Sequence, residues 1–248
     1  MRQLSSPDSL PVQRIALARG ALFVTIFAIA VIVVVGVLDG LDVGLSDPGP
    51  VANELSQQII DVAVAHEEWY LMYGRWEALA VAVAFAGLLV AIPFVRGTHR
   101  SRHLVMAGAA VAIVAEMIDL SQLVGINLVR FTLENGLTTD FTAANTYRFA
   151  INGTAVFVLA AGLFLTAVGM LVVANDAGEP RWKLISALFA ISLLATVVAD
   201  LFGSLLWLDV ATYVLAVLAV SWIVSALGRL EDHSTGVRSE AHPEAADL

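Results

Sequence analysis

The sequence predicts an all-α membrane protein, a bundle of six transmembrane helices with one extracytoplasmic amphipathic helix. Hydrophobic residues make up 59% of the 248 residues and charged residues only 14%, and the mean hydropathy is +0.84. A water-soluble domain of this length would need more polar residues to cover its surface, so we expect a lipid bilayer to surround much of this chain. The sequence has no surface cluster of Lys and Arg of the kind that binds nucleic acid.

Six apolar segments account for the predicted helices. A helix needs about 20 mainly apolar residues to cross the hydrocarbon of a bilayer. The segments that meet this requirement are residues 20–38, 78–95, 104–129, 153–174, 184–206 and 210–227. They predict one transmembrane domain over residues 20–228, after a cytoplasmic segment (1–19) and before a cytoplasmic tail (229–248). The tail is predicted to be disordered because it contains almost no large apolar residue.

The basic residues predict the orientation. Ten of the 13 Lys and Arg residues lie in the N-terminal segment, in the connections after the second and fourth apolar segments, or in the tail. The other three are Arg75, Arg130 and Arg148. Because short cytoplasmic loops carry an excess of basic residues, both termini are predicted to be cytoplasmic and the protein to reside in the cell membrane.

The long connection after the first segment predicts the amphipathic helix. After the break "DPGP" (47–50), residues 51–73 place apolar side chains at helical spacing and carry several acids. This pattern is typical of a helix that lies along the membrane surface. Four aromatic residues at its end are interpreted as a belt at the lipid headgroups, with ligand stacking as the alternative: Trp69, Tyr70, Tyr73 and Trp76.

Acidic residues inside apolar segments are the main functional signal. Glu116 and Asp119 lie one helical turn apart in the third segment, and Asp200 lies at a similar predicted depth in the fifth. Charge is costly in hydrocarbon, so these side chains are expected to face protein or water. Burial and like-charge repulsion favour the protonated form of a carboxylate, and we therefore expect at least one acid to hold a proton at neutral pH.

The third segment also predicts where these acids point. On a regular helix, Glu116, Asp119, Asn127 and Arg130 share an arc of about 80°, with Gln122 at its margin. This places a polar face toward the outer surface, where further basic and aromatic residues are available. The predicted outward-facing site for a ligand or proton comprises Glu116, Asp119, Asp200, Arg148, Arg75 and Tyr147. The alternative is a purely structural role, in which the same acids lock helices together.

Neither a metal nor a cofactor is expected. The chain has no cysteine, and its five histidines fall in loops, tails or helix ends, which does not favour a transmembrane haem. There is no glycine-rich phosphate loop. Four glycines within the apolar segments are instead interpreted as close-packing positions between helices: Gly87, Gly108, Gly162 and Gly169.

One stretch resembles a known group of proteins. Residues 146–194, "TYRFAINGTAVFVLAAGLFLTAVGMLVVANDAGEPRWKLISALFAISLL", have an aromatic and polar helix start, a glycine-rich apolar helix and a turn containing Pro180 and Arg181. The stretch resembles a broad family of prokaryotic six-helix integral membrane proteins that carry a domain of unknown function. The resemblance implies a polytopic membrane protein from a prokaryote. It implies no reaction and no catalytic residue, and the Glu116–Asp119 pair has no counterpart in it.

Three functional hypotheses follow from the sequence. The first is a membrane protein whose outward-facing polar site binds or moves a small ligand, an ion or a proton. The second is a non-catalytic accessory subunit that packs against a partner membrane protein. The third is an intramembrane enzyme in which a carboxylic acid protonates a lipophilic, isoprenoid-like substrate, so whether the protein is an enzyme stays open at this point.

Overall fold

A computed structural model describes residues 9–41, 68–94, 99–135, 138–176, 179–202 and 205–240. All regular structure within these residues is helical. The α-helices are α1 (Ser9–Leu41), α2 (Arg75–Ala91), α3 (His99–Leu120), α4 (Gln122–Glu134), α5 (Thr138–Asp176), α6 (Pro180–Phe202) and α7 (Leu205–Glu240). A π-helical turn (Tyr70–Gly74) precedes α2, and a 3₁₀ turn (Ile92–Phe94) follows it.

Six helical spans in the described residues are long and apolar enough to cross a bilayer, as expected of a multi-pass membrane protein. The spans are Gln13–Leu38, Tyr70–Phe94, Arg100–Thr132, Thr146–Asn175, Pro180–Ala199 and Val210–Gly228. The all-α class and the number of membrane-length helices are thus confirmed. The third span contains both α3 and α4, so one predicted segment corresponds to two helices with a break between them.

The structure bears only in part on two other predictions, the amphipathic helix at residues 51–73 and the disordered tail at residues 229–248. Most of the predicted amphipathic helix, residues 51–67, lies outside the described residues. Its last part is helical and continues directly into the second span. At the other end, α7 continues to Glu240, so helix extends into the segment for which the sequence predicts a disordered tail. Residues 241–248 lie outside the described part of the chain.

The spans pack in the order in which they occur along the chain. α1 packs against α2, α2 against α3, α3 and α4 against α5, α5 against α6, and α6 against α7. α7 also packs against α1, which closes the arrangement into a ring. The connections from the second span onward are short, which makes those consecutive helices antiparallel neighbours and accounts for their order.

An apolar core fills the bundle toward the end at which α1 begins. Trp222 is fully buried there, with its ring centroid 5.2 Å from that of Trp182 and 5.9 Å from that of Phe189. Its indole Nε1 donates a hydrogen bond of 3.1 Å to Ser186 Oγ, which satisfies the one polar atom of the side chain. All six spans contribute side chains to this core. The polar side chains described below lie toward the opposite end.

Glycines set the close contact between α3 and α5. A Cβ atom added at Gly162 would lie 2.7 Å from the backbone nitrogen of Ala112, and one at Gly108 would lie 2.5 Å from that of Thr166. Gly169 meets α3 in the same way at Val105. Only glycine permits such an approach, and the close-packing interpretation of these positions is confirmed. The seam fixes the antiparallel register that brings the polar part of α5 next to the end of α3.

Gly87 has the same function between α1 and α2. A Cβ atom at this position would lie 2.7 Å from the carbonyl oxygen of Ala21 and 2.1 Å from Thr25 Oγ1. The Thr25 hydroxyl donates a hydrogen bond within α1 to Ala21, and it also lies 3.3 Å from the carbonyl oxygen of Ala84 on α2. The fourth predicted close-packing glycine is therefore confirmed.

Candidate functional site

The second and third spans meet through a hydrogen bond to one of the predicted acids. The phenolic oxygen of Tyr70 lies 2.9 Å from Asp119 Oδ2 and 2.8 Å from the backbone carbonyl oxygen of Asp119. Tyr70 is only 2% exposed, and Asp119 is partly exposed. A hydroxyl that donates to a carboxylate forms a stronger bond than one between neutral groups, so this contact is a strong link between the spans.

Local backbone structure positions Tyr70. The N–H of Arg75 donates to the carbonyl of Tyr70 five residues earlier, which is the bond that defines the π-helical turn. Gly74, one turn after Tyr70, is buried against its ring: a Cβ atom there would lie 2.7 Å from Tyr70 Cδ2. The missing side chain at Gly74 therefore leaves the space that the tyrosine ring occupies. Single π-helical turns are frequent at functional sites.

The third span is irregular at the same level. α3 ends at Leu120 and α4 begins at Gln122, directly after Asp119. At the junction, Ser121 N–H lies 3.0 Å from the carbonyl oxygen of Ile118, and Val124 N–H lies 3.0 Å from that of Ser121. Both bonds span three residues, as in a 3₁₀ helix, while Ser121 N–H also lies 3.2 Å from the carbonyl oxygen of Met117, four residues earlier. The Ser121 hydroxyl also bonds to the Ile118 carbonyl at 2.6 Å, so a side chain supports the break.

Two amide side chains complete the surroundings of Asp119. The Nε2 group of Gln122 donates to Asp119 Oδ1 and lies 3.4 Å from Oδ1 of Asn152 on α5. Gln122 is 2% exposed, and its Oε1 atom has no hydrogen-bond partner in the described part of the chain. Tyr70, Asp119, Gln122 and Asn152 are called the Asp119 cluster below. It joins the second, third and fourth spans through neutral polar groups around a single carboxylate.

Two further ionisable groups are buried near the Asp119 cluster. Glu116, one turn earlier on α3, is 6% exposed and lies within electrostatic range of the Tyr70 hydroxyl. Arg148 on α5 is 1% exposed and packs against Gly125 of α4, where an added Cβ atom would lie 3.3 Å from Arg148 Cβ. Arg148 occurs one helical turn before Asn152. The structure thus places the predicted residues Glu116, Asp119 and Arg148 in one region.

Along the rest of the third span the predicted polar face consists of exposed side chains, which agrees with the expectation that it faces protein or water. Asn127 and Arg130 are exposed, while Gln122, Ile126 and Val129 are buried. The prediction assumed an unbroken helix that turns 100° per residue. The 3₁₀-type bonds at Ser121 interrupt this regularity between α3 and α4. Gln122, placed at the margin by the regular-helix assumption, therefore belongs to the centre of the cluster.

The structure does not bring the other three predicted site residues, Tyr147, Arg75 and Asp200, into the Asp119 cluster. Tyr147 is 50% exposed, and Arg75 is partly buried with its guanidinium 5.1 Å from the centroid of the Trp76 ring. Neither hydrogen-bonds to the Asp119 cluster among the described residues. Asp200 lies in α6, which packs against α5 and α7, but its side chain is outside the described part. Its shared site with Asp119 stays a prediction.

Sequence reasoning missed Tyr70 as a site residue. The pattern of aromatic residues assigned it to an interfacial belt, whereas it is buried against the third span. A local signal was present: Gly74 follows Tyr70 by one helical turn, where a glycine makes room for a large ring. The predicted site also lacks Asn152. Its proximity to Gln122 depends on the register between α4 and α5.

Among the described residues, no group of three or more His, Cys, Asp and Glu side chains is arranged to hold a metal ion. The donors of the Asp119 cluster are instead one carboxylate, two amides and one phenol. No family model, no curated protein and no solved structure matches this chain. The chemistry of the cluster and its position in the bundle are therefore the features that point to a function.

Proposed function

We propose that the protein binds or moves a small ion or ligand across a membrane, and that proton binding at Asp119 is part of this activity. The observation that carries the proposal is the location of Asp119 at a break in the third span, held by Tyr70 and Gln122. Broken helices near the middle of a membrane are the usual place for ion and proton sites in transporters. A carboxylate within a span is expected to be functional by default.

The details of the Asp119 cluster favour this function over a structural lock. A lock between helices is most stable when all its buried polar atoms are satisfied. Here Gln122 Oε1 is buried and lacks a hydrogen-bond partner among the described residues. Two adjacent spans also depart from regular helix at the same contact, which a lock does not require. Asp119 is partly exposed, so its side chain is not sealed inside the bundle.

The groups around Asp119 are suited to holding either protonation state. As a carboxylate, Asp119 accepts from the Tyr70 hydroxyl and from the Gln122 amide. As a carboxylic acid it has a proton to donate, and the Gln122 amide can turn its oxygen toward that proton. Tyr and Gln side chains serve as donors or acceptors, so neither state leaves the site without a matching group.

Infrared difference spectroscopy of the full chain in liposomes tests the proposal. We expect a carbonyl stretching band of a protonated carboxylic acid that disappears as the pH rises and that is absent in Asp119→Asn. Glu68→Gln is the matched control, because Glu68 is exposed and the change removes the same charge. If wild type and Asp119→Asn give the same titration, Asp119 does not exchange protons and the proposal fails.

A second variant tests the proposal even if Asp119→Asn does not fold. Tyr70→Phe keeps the carboxylate and removes one donor to Oδ2. Loss of that donor destabilises the ionised form, so we expect the titration of this band to move to higher pH. An unchanged titration in Tyr70→Phe would show that the band arises from another acid. Glu116→Gln identifies a contribution from the neighbouring buried acid.

A further inference from the structure

The Tyr70 hydroxyl lies where it can cap the end of α3. The last carbonyl groups of an α-helix have no N–H partner within the helix, so they need donors from elsewhere. At the end of α3, the carbonyl of Ile118 accepts from Ser121, and the carbonyl of Asp119 accepts from the Tyr70 hydroxyl at 2.8 Å. A tyrosine that precedes α2 therefore supplies a donor to the break in the third span.

The same hydroxyl is also a donor to the Asp119 side chain. Tyr70 Oη lies 2.9 Å from Asp119 Oδ2, nearly the distance at which it lies from the main-chain carbonyl oxygen. A phenol has a single hydrogen to donate and cannot give it fully to both acceptors. An ionised carboxylate is the stronger acceptor of the two, because its hydrogen bonds are assisted by charge. Ionised Asp119 thus competes with its own main chain for the cap.

A proton on Asp119 removes this competition. A carboxylic acid has an O–H to donate, and a phenolic oxygen can accept one hydrogen bond while it donates another. When a proton from water binds to Oδ2, the acid donates to Tyr70 Oη, and the Tyr70 O–H turns to the main-chain carbonyl. No other bond forms or breaks. The distances of 2.9 Å and 2.8 Å suit both states, so the heavy atoms can stay where they are.

We propose that Tyr70 is a switch that couples proton binding at Asp119 to the end of α3. The protonated acid leaves the hydroxyl to cap the Asp119 carbonyl, and the carboxylate withdraws it. This inference rests on the proposed function, because it says how the proton bound at Asp119 acts on the bundle. α4 begins directly after the capped turn and packs mainly against α5. Ionisation of Asp119 therefore loosens the junction between α3 and α4.

Other ionisable groups lie on the same elements. Within the described side chains, those on the second span and the residues just before it, on the third span near the break, and on the first half of α5 are Glu68, Tyr73, Arg75, Glu77, Glu116, Arg130, Tyr147 and Arg148. Glu116 is the buried acid of this set and lies within electrostatic range of the Tyr70 hydroxyl. A test of the switch must therefore separate Asp119 from Glu116.

Infrared difference spectroscopy with ¹³C-labelled tyrosine detects the switch at the hydroxyl itself. The C–O stretching band of a phenol that only donates a hydrogen bond differs from that of a phenol that also accepts one. The chain has four tyrosines, so Tyr73→Phe, Tyr147→Phe and Tyr213→Phe together leave Tyr70 as the only labelled group. In liposomes containing this triple variant, we expect the tyrosine band to shift with the same pH dependence as the carboxylic-acid band of Asp119.

Hydrogen–deuterium exchange detects the consequence in the backbone. The exchange rates of residues 117–121 are divided by the intrinsic rates of an unstructured chain at each pH, which gives a protection factor. We expect this protection to be about fivefold lower when Asp119 is ionised, because one hydrogen bond of typical strength is lost from the end of α3. Residues 105–112, at the close contact of the same helix with α5, are the internal reference and should keep their protection.

Two variants are expected to hold the switch in opposite positions. Asp119→Asn carries no charge and can donate its amide to Tyr70 Oη, so the cap should persist and protection should stay high at every pH. Tyr70→Phe has no hydroxyl, so protection should stay low at every pH. Glu68→Gln, at an exposed position two residues before Tyr70, is the matched control and should retain the pH dependence of the wild type. If Glu116→Gln removes that dependence and Asp119→Asn does not, the proton acts at Glu116 and the inference is wrong.

The outcomes separate this inference from the proposed function. If the Asp119 band titrates while the tyrosine band and the protection stay constant, the proton binds without moving the Tyr70 hydroxyl; the inference is then wrong and the proposed function stands. Protection that still depends on pH in Tyr70→Phe would also overturn the inference, because the proton would act on α3 by another route. If the Asp119 band does not titrate, both proposals fail together. The tyrosine band keeps the test decisive if Tyr70→Phe or Asp119→Asn does not fold.

Discussion

The hydroxyl of Tyr70 lies within hydrogen-bonding distance of both the side chain and the backbone of Asp119, at 2.9 Å from Oδ2 and 2.8 Å from the carbonyl oxygen. The contact joins two irregular places, the π-helical turn before α2 and the break after α3. One phenol thus sets the position of the carboxylate and of the main chain that carries it. A change at Tyr70 is therefore expected to affect both stability and proton binding.

The first prediction is that Tyr70→Phe destabilises the protein. The variant keeps the buried ring and removes the hydroxyl, which leaves the partly exposed Asp119 carboxylate with one donor fewer. Loss of a buried hydrogen-bond partner costs about 1–3 kcal/mol in the free energy of unfolding, and bonds to charged groups lie toward the upper end. Denaturant titration in detergent micelles measures this quantity. Tyr147→Phe, at a half-exposed position, is the control and should change stability by less than about 0.5 kcal/mol.

The second prediction is that Gly74→Ala displaces the Tyr70 ring. The new Cβ atom would lie 2.7 Å from Tyr70 Cδ2, which is closer than van der Waals contact allows. Overpacking of this kind costs about 1–3 kcal/mol. Gly153→Ala is the control, because a Cβ atom there meets nothing within 4 Å. We expect that variant to be neutral or slightly stabilised, since Ala favours a helix over Gly.

A double variant tests the cause of the Gly74 effect. If the ring is the obstacle, Tyr70→Ala combined with Gly74→Ala should cost less than the sum of the two single changes. Strict additivity would contradict the proposed contact between Gly74 and Tyr70. In that event, the second close neighbour of the added Cβ atom, Trp69 Cζ3 at 3.2 Å, would be the source of the effect.

The third prediction concerns the seam between α3 and α5. Gly162→Ala would place a Cβ atom 2.7 Å from the backbone nitrogen of Ala112, and backbone atoms cannot rotate away as a side chain can. The helices must separate, so we expect a loss of about 1–3 kcal/mol in the free energy of unfolding. Gly20→Ala on α1 meets nothing within 4 Å and is the matched control. Equal stability of the two variants would refute close packing at Gly162.

This change should also weaken the Asp119 cluster at a distance. The α3–α5 seam sets the register that brings Asn152 near Gln122. Separation of the helices at Gly162 is therefore expected to shift the Asp119 titration measured by infrared spectroscopy. Gly20→Ala lies on α1, away from this seam, and should leave the titration unchanged.

The fourth prediction is the orientation in the membrane. Both termini are predicted to be cytoplasmic from the distribution of basic residues. The chain contains no cysteine, so single cysteines can be introduced without background labelling. Asn135→Cys and Lys183→Cys occupy exposed positions at opposite predicted faces. In intact cells, a membrane-impermeant thiol reagent should label the former and not the latter, and the reverse pattern would invert the topology.

The sequence alone determined which segments are long and apolar enough to cross a membrane and which glycines lie between helices. Hydropathy adds up residue by residue along a segment, so a span such as 153–174 can be identified without knowledge of its neighbours. The same holds for the cost of a charge in hydrocarbon, which singled out Glu116 and Asp119. Gly108 and Gly162 could be assigned because small residues in an apolar helix have few other uses.

Only the tertiary structure decided which side chains meet Asp119. The register of α5 against α3 brings Asn152 to Gln122, and the π-helical turn aims Tyr70 at Asp119. Such meetings depend on the rotation of each helix about its axis, and one irregular turn changes that rotation for all the residues that follow. The third span has such an irregular turn at Ser121, and Gln122, which a regular helix places at the margin of the polar face, lies at the centre of the Asp119 cluster.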